Sequence, residues 1–336
     1  MALHLGNMAI SGLMLGTVPV QKVYLGTYQI WGNEIVVVLG NRSTSLFLKS
    51  LFTTADWASN TRKRVVVPAG VEIGTNTNFA IAISATADGQ ATSFGGELII
   101  DNFGTVSGLG GAPNSGGGGD AILANLLGRS GQKLIVNNYG TLRAGGGGGG
   151  RGGNGGAGSY GYNYREPSSG WYSWNNGGYE FRYTFGNATM SAMWNGSTVG
   201  STPGYASSIS AGGWTYLRGP DVDEGSASAI FMIARQTTAY QPTSGGVAGN
   251  AGRGQGFDGA ASAGANPVAG GTNAGASGKS GDGGAWGQPG QTGANGSAGN
   301  AGSGTAGATG GLAGAYLASS ANAIFNNHGT VQGRLI

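Results

Sequence analysis

The residues in this chain that could do chemistry are few, and their spacing matches no catalytic or metal-binding pattern. Asp221-Val-Asp223-Glu224 could offer carboxylates to calcium, but the spaced ligand series of an EF-hand is missing. Gly278-Lys279-Ser280 has the ending of a phosphate-binding loop. The first glycine such a loop requires falls on Asn273, however, and no strand and helix flank it. Asp258 and Asp282 sit among glycines without the regular recurrence of a calcium β-roll. His4 and His328 stand near opposite ends and cysteine is absent, which leaves a histidine triad, a zinc site or a thiol nucleophile without its residues. The 14 acidic residues could still supply a glycosidase-type carboxylate pair, although no spacing singles one out. The expectation is a protein that is not an enzyme and that holds neither metal nor cofactor.

Aromatic rings are what the chain concentrates. Residues 159–241 hold 16 of its 30 Phe, Trp and Tyr. In Tyr160-Gly-Tyr162-Asn-Tyr164 the rings alternate, which on an extended segment puts them on one face, and Trp171, Tyr172 and Trp174 follow among Gly, Ser and Asn. Tyr and Trp set among Ser, Gly and Asn is the composition of recognition loops, where rigid rings give contact area at low entropic cost. Binding is therefore expected of Tyr160, Tyr162, Tyr164, Trp171, Tyr172 and Trp174, with Trp194, Trp214 and Tyr216 as further candidates. For Tyr179-Glu-Phe-Arg-Tyr-Thr-Phe185 a second reading stands beside binding, a hairpin that uses alternate rings as its own small core.

Composition narrows the fold that must hold these rings. Glycine supplies 73 of 336 residues, about three times its usual share, while proline numbers 9. Charged residues make up 9% and apolar ones 39%, the reverse of a disordered chain. A net charge of +3 spread along the sequence cannot form a phosphate-tracking stripe, so nucleic acid is not an expected partner. Aliphatic runs such as Ile35 to Leu39 fall far short of the ~20 residues of a membrane span. The start, Met1-Ala-Leu-His-Leu-Gly6, lacks a basic segment followed by an apolar one, and reads as a soluble product made without a signal peptide.

Two repeats organise the chain. The first, Leu5-Gly-Asn-Met-Ala-Ile10, Leu15-Gly-Thr-Val-Pro-Val20 and Leu25-Gly-Thr-Tyr-Gln-Ile30, recurs every ten residues and reads as short strands with tight turns. Such a segment is either a small sheet packed on its neighbour or a docking module. From Asn33 to about Gly110, β-branched clusters at Ile35 to Val38, Val65 to Val67 and Phe79 to Ile83 predict an all-β region, with Pro68-Ala-Gly70 as a turn. The basic triplet Arg62-Lys63-Arg64 reads as a charged strand end that discourages edge pairing rather than as a binding patch. The second repeat is Leu98-Ile-Ile-Asp-Asn-Phe-Gly-Thr-Val, Leu134-Ile-Val-Asn-Asn-Tyr-Gly-Thr-Leu and Ala323-Ile-Phe-Asn-Asn-His-Gly-Thr-Val. Each copy predicts a strand, an Asn-x-Gly turn and a strand, a corner able to receive one extended rod and launch another.

The rods themselves are legible as period. From Gly275 to Gly304 the chain runs in strict glycine triplets, and Gly145 to Gly150 is unbroken. A three-residue glycine period means a helix of three residues per turn with one bare face. Collagen needs roughly 15–20% Pro/Hyp, and the triplets contain Pro289 alone. Polyglycine-II packing remains, with rods side by side and peptide groups paired between neighbours. Ordering glycine costs the high end of ~1–2 kcal/mol per residue, so only a bundle is expected to hold; a flexible linker is the competing reading. Rods are expected to turn at Asn266-Pro267 and after Gly304.

The run Leu134 to Gly150, the later glycine triplets and the closing Ile324 to Gly333 together resemble the distal tail-fibre adhesins of T-even-like bacteriophages over residues 97–336. Residues 1–96 depart from that pattern, although the Leu-Gly repeat is similar to the start of other phage tail proteins. The resemblance implies an all-β chain with a polyglycine-II sandwich and essentially no α-helix. Its expected domains are an attachment module at 1–34, a β domain at 35–110, and the sandwich at 111–336 with an aromatic insertion at 159–244. It implies a virion tail-tip protein that binds an outer-membrane protein or surface glycan through the insertion. Leu5, Leu15, Leu25, Tyr28 and Trp31 would meet other tail proteins, and the chain would be monomeric or a homotrimer. Other classes remain open: a structural protein whose rods assemble into fibres, and a binder of ice or polysaccharide through a flat rod face.

Overall fold

A computed structural model describes residues 34–84, 94–126, 131–166, 171–172 and 178–336, and within residues 4–32 the strand pairings alone. The chain divides into two compact units, one of residues 1–156, 245–270 and 274–336, the other of residues 157–244 and 271–273. Strands dominate, and among the described residues the one α-helix, Thr54–Ala58, is five residues long. Thr53 caps it by accepting from the Asp56 N–H at 3.1 Å.

The ten-residue repeat forms three separate antiparallel hairpins. Leu5 pairs with Met8, Leu15 with Val18 and Leu25 with Tyr28, so each copy places its Leu at the same register position, and Trp31 pairs with Val23.

The rest of the first unit is built on three parallel sheets wound by one chain, a short solenoid. Face one stacks Glu34–Val38, Arg62–Val67, Leu98–Asn102, Leu134–Asn138 and Ala323–Asn327. Face two stacks Glu72–Ile73, Thr105–Ser107, Thr141–Arg143 and Thr330–Gln332. Face three stacks Leu46–Phe47, Phe79–Ser84, Asp120–Asn125, Ala315–Ala318 and Arg334–Leu335. The strands alternate inward and outward side chains, so each face sends an aliphatic ladder to the axis: Val65, Ile100 and Val136; Ile73, Val106 and Leu142; Leu46, Ile81, Ile122 and Leu317.

The Asn-x-Gly repeat is therefore not a hairpin. The strands before and after it belong to different sheets, and each copy is a solenoid corner that stacks on the next. Two amide ladders tie the corners together. Asn102 donates to Asn138 and Asn138 to Asn327, both at 2.8 Å; outside them Asn326 donates to Asn137 and Asn137 to Asp101. The aromatic position stacks as well, Phe103 on Tyr139 at 4.9 Å and Tyr139 on His328 at 5.2 Å. Because the first three coils share sheets with strands at 134–143 and 323–332, the expected boundary near residue 110 cuts through continuous β-structure.

Of the basic triplet, Lys63 alone turns into the solenoid. Lys63 is fully buried and donates to the carbonyls of Ser59, Thr61 and Gly95 at 2.8–2.9 Å. Burial pushes its pKa down, against the pull of Asp56. Arg62 pairs with Glu97, and Arg64 with Glu34 and Asp101.

The glycine tracts leave the solenoid between faces two and three, at residues 108–119 and again at 144–156 and 245–314; in the last coil Gly333 alone makes this passage. Their hydrogen bonds recur every third residue. Gly147, Gly150, Gly153 and Gly156 donate to Gln288, Gln291, Ala294 and Ser297, while Gly146, Gly149 and Gly155 donate to Gln255, Gly252 and Gly246. The first set of partners runs parallel to the 145–156 rod, the second antiparallel. Gly284, Gly281, Gly278 and Gly275 donate back to Gly147, Gly150, Gly153 and Gly156. Glycine is required by close approach: a Cβ on Gly150 or Gly153 would fall onto the carbonyl oxygen of Ala308 or Thr305. Asn266-Pro267 does not mark a turn. Ser262 and Ala265 donate to Arg253 and Asn250 on one neighbouring rod, and Ser277 donates to Val268 from another, so the chain runs straight through. It turns instead at 256–259, at 271–273, at Trp286-Gly287 and at 299–302.

The second unit is a seven-stranded antiparallel sheet. Its spine is Ser228–Thr243, sixteen residues long. One side of the spine pairs with Trp214–Glu224; the other pairs first with Glu180–Thr184 and then with Gly158–Glu166. Thr189–Trp194, Ser197–Pro203 and Ser208–Ala211 complete the sheet, and its core holds Phe181, Met190, Ala192, Trp194, Ile209, Tyr216, Phe231 and Ile233.

Candidate functional site

Alternation along the spine explains where exposed rings occur. Ala229, Phe231 and Ile233 face the core, and the same face continues through Arg235, Thr237, Ala239 and Gln241. Beyond the core the spine is paired only with Gly158–Glu166, as a two-stranded ribbon. Cross-strand register puts Tyr164 opposite Thr237, Tyr162 opposite Ala239 and Tyr160 opposite Gln241, so the three tyrosines extend the core-facing side past the point where anything covers it. They are 36%, 43% and 41% exposed for Tyr160, Tyr162 and Tyr164. Tyr160 and Tyr162 lie 6.5 Å apart between ring centroids, and Tyr164 meets the edge of Trp214 at 6.4 Å.

Arg235 closes the inner end of this row. Its guanidinium lies 4.0 Å from the Trp214 ring and 4.4 Å from that of Trp194, and donates to Glu166 at 2.9 Å. Burial opposes its charge, but the Glu166 and Tyr216 interactions outweigh that and hold its pKa above the usual value. With its charge committed, Arg235 is a brace that fixes both indoles and not a free cation.

The predicted residues separate accordingly. Trp194 and Tyr216, expected on a binding surface, are 7% and 4% exposed and belong to the core. Trp194 shares its strand face with Met190 and Ala192, which are also buried, so alternation carries it inward. Tyr172 bridges to Ile233, stacks on Tyr179 at 4.7 Å and meets Trp194 edge-on at 5.2 Å, which makes it the rim of that core. Trp171 lies under Arg165 at 4.1 Å, flush with Gly219, where a Cβ would come within 2.7 Å of the indole. Trp174 lies outside the described residues. In the 179–185 stretch Phe181 is buried and Tyr179 and Tyr183 pack on the same core.

In the second unit, Tyr205 at 57% and Tyr240 at 72% are exposed rings that the sequence did not single out. Tyr240 pairs with Gly161, on the ribbon face opposite the tyrosine row. Its polar neighbourhood, Thr237-Thr-Ala-Tyr240-Gln-Pro242, is the signal that could have found it.

The residues weighed for chemistry are placed in structural roles or on the surface. Asp258 pairs with Arg253 and accepts from the Gly110 N–H at 3.0 Å; Asp282 is held below its usual pKa by the Gly264 N–H and by Lys279. His328 ends the aromatic stack. Among the described residues no three His, Cys, Asp or Glu side chains converge as metal ligands.

A family model for the phage tail fibre adhesin Gp38 matches residues 34–229, more than half of the chain. The chain belongs to this adhesin family. Comparison with curated proteins and with solved structures gave no match. Membership in the Gp38 adhesins implies a binding role at the tail of a virion, toward the host surface and other tail components. The match begins at the first strand of the solenoid and ends inside the 228–243 spine. It thus takes in residues 34–96, which the resemblance read from sequence left out.

Proposed function

We propose that this adhesin holds a receptor of the bacterial surface, an outer-membrane protein or a surface glycan, on the tyrosine row of its second unit. The observation that carries the reading is the row itself. Tyr160, Tyr162 and Tyr164 are exposed in register on the side of a sheet whose other half is core, and Trp214 is fixed at its end by Arg235. Rings held by paired backbone lose little entropy on contact, and amphipathic Tyr suits a surface that is wet when free and dry when bound. In this reading the glycine rods are the rigid support, and the N-terminal hairpins, with Leu5, Leu15, Leu25, Tyr28 and Trp31, are the attachment to the rest of the tail, in one copy or in three.

The test is adsorption of the purified chain to bacteria that the parent phage infects. Tyr160→Ala, Tyr162→Ala and Tyr164→Ala together are expected to weaken binding at least tenfold, corresponding to about 1.4 kcal/mol, with circular dichroism unchanged. Undiminished adsorption by the folded triple variant sinks the proposal.

A further inference from the structure

The long spine gives the second unit two ends. Sixteen residues at ~3.3 Å each set them about 50 Å apart. One end is the tyrosine ribbon. At the other, three connections gather: Phe185–Asn187 with Ala188, Gly204 with Tyr205, and residues 225–227. Backbone bonds knit them, Phe185 N–H to Ala227 at 3.0 Å, Gly204 N–H to Ala188 at 2.7 Å and Gly225 N–H to Ser228 at 2.9 Å. Ala188 adopts a left-handed conformation at φ 48°, a position where a residue with a Cβ is uncommon.

Two large rings are exposed on this end, Tyr205 and Phe185, at 57% and 41%. They are not loose. Tyr183 touches both, at 4.9 Å from Tyr205 and 5.6 Å from Phe185; Phe231 of the core backs Tyr205 at 5.6 Å, and the Arg218 guanidinium lies 4.3 Å from the Tyr205 ring. Exposed rings anchored from behind have the build of interface hot spots.

The charge around them indicates the occupant. Asp221, Asp223 and Glu224 all lie exposed where the Trp214–Glu224 strand reaches this end, and Glu224 and Tyr183 flank Ala229 in register. None of the three carboxylates joins an ion pair among the described residues. Of the nearby cations, Arg182 is paired with Glu180 and Arg218 lies over the Tyr205 and Phe231 rings. An aromatic anchor rimmed by uncommitted carboxylates complements a protein loop carrying Lys or Arg, whose stems pack on the rings while their charges meet the rim.

We infer that Phe185 and Tyr205, with the Asp221 to Glu224 rim, form a second contact surface for a basic loop of a bacterial surface protein. The inference rests on the adhesin role of the family and not on the tyrosine row.

Binding of the labelled full chain to intact host cells, at low and high salt, tests it. Tyr205→Ala with Phe185→Ala is expected to cost at least tenfold in affinity. Asp221→Asn, Asp223→Asn and Glu224→Gln together are expected to weaken low-salt binding severalfold and to flatten its salt dependence, an effect that mere structural damage would not give. The inference is overturned if both folded variants bind as the parent does, or if parent binding survives proteolytic shaving of the cells. The tyrosine-row variant run in parallel separates the two surfaces, because loss there with both end variants intact upholds the ribbon and removes this site.

Discussion

The two units solve opposite problems with the same extended backbone. In the first, side chains are stripped from the rods until peptide groups meet peptide groups, and what stabilises the bundle is the regular pairing of N–H and C=O between neighbours. In the second, the backbone pairing is an ordinary antiparallel ladder, and rings do the rest: one face of a single strand runs from buried Phe231 to half-exposed Thr237 and Ala239. The difference teaches where each region tolerates change. A rod position is fixed by a neighbour's carbonyl oxygen at every third residue, whereas a connection of the second unit such as 185–188 is held by a few backbone bonds and leaves open space at Gly186.

The largest effect should follow from placing a side chain inside the bundle. Gly150 donates to Gln291 at 2.8 Å, and a Cβ there has no room beside Ala308. Gly150→Val is expected to cost more than ~4 kcal/mol, the range reserved for severe overpacking, and to leave little soluble protein. The matching change in the second unit, Gly186→Ala, meets nothing within 4 Å and should stay within about 0.5 kcal/mol of the parent in thermal unfolding. Soluble, stable Gly150→Val would break the comparison.

Next in size is the buried ammonium at the solenoid wall. Lys63→Met keeps the volume but strands three carbonyl oxygens that now share the ammonium protons. Leaving a buried acceptor without its donor costs roughly 1–3 kcal/mol. A denaturant midpoint equal to the parent's would show that those carbonyls find water instead.

How far the sequence disclosed this architecture depended on whether its signal was periodic or topological. Glycine triplets announce a three-fold rod because one bare face in three is the condition for close packing, and the Asn-aromatic-Gly-Thr copies announce equivalent corners because Asn102, Asn138 and Asn327 must sit in line to bond. What local pattern cannot show is where the chain goes after a turn. An Asn-x-Gly corner looks the same whether the next strand returns as a hairpin or moves to a new sheet, and the deciding contacts, Leu98 with Leu134 and Leu134 with Ala323, are far apart in sequence. The same limit applies to rings. Tyr160 and Tyr216 are alike as residues, yet the strand carrying Tyr216 is covered by the curl of the sheet and the ribbon carrying Tyr160 is not. Lys63 was hidden for another reason: in a basic triplet at a strand start, only alternation with Arg62 and Arg64 marks it as inward, and alternation also fits an exposed edge.

The smallest effect expected concerns the junction where a rod re-enters face three. Asp120 begins its strand there and accepts from the Ala315 N–H at 2.6 Å. Burial raises its pKa, with the Ala315 bond and the charge of Arg334 pulling the other way. A carboxyl whose folded pKa lies above the unfolded value of about 3.9 holds its proton longer in the native state. Its contribution to stability is therefore full below that value and declines as pH rises through the folded pKa. Asparagine keeps an acceptor for the Ala315 N–H and cannot ionise. Asp120→Asn should thus gain on the parent as the medium moves from acid to neutral. Denaturant unfolding of both proteins across that range would reveal it as a difference that grows with pH. A constant difference would mean that Asp120 ionises as readily in the fold as outside it, and that the nearby charge of Arg334 and the Ala315 bond offset its burial.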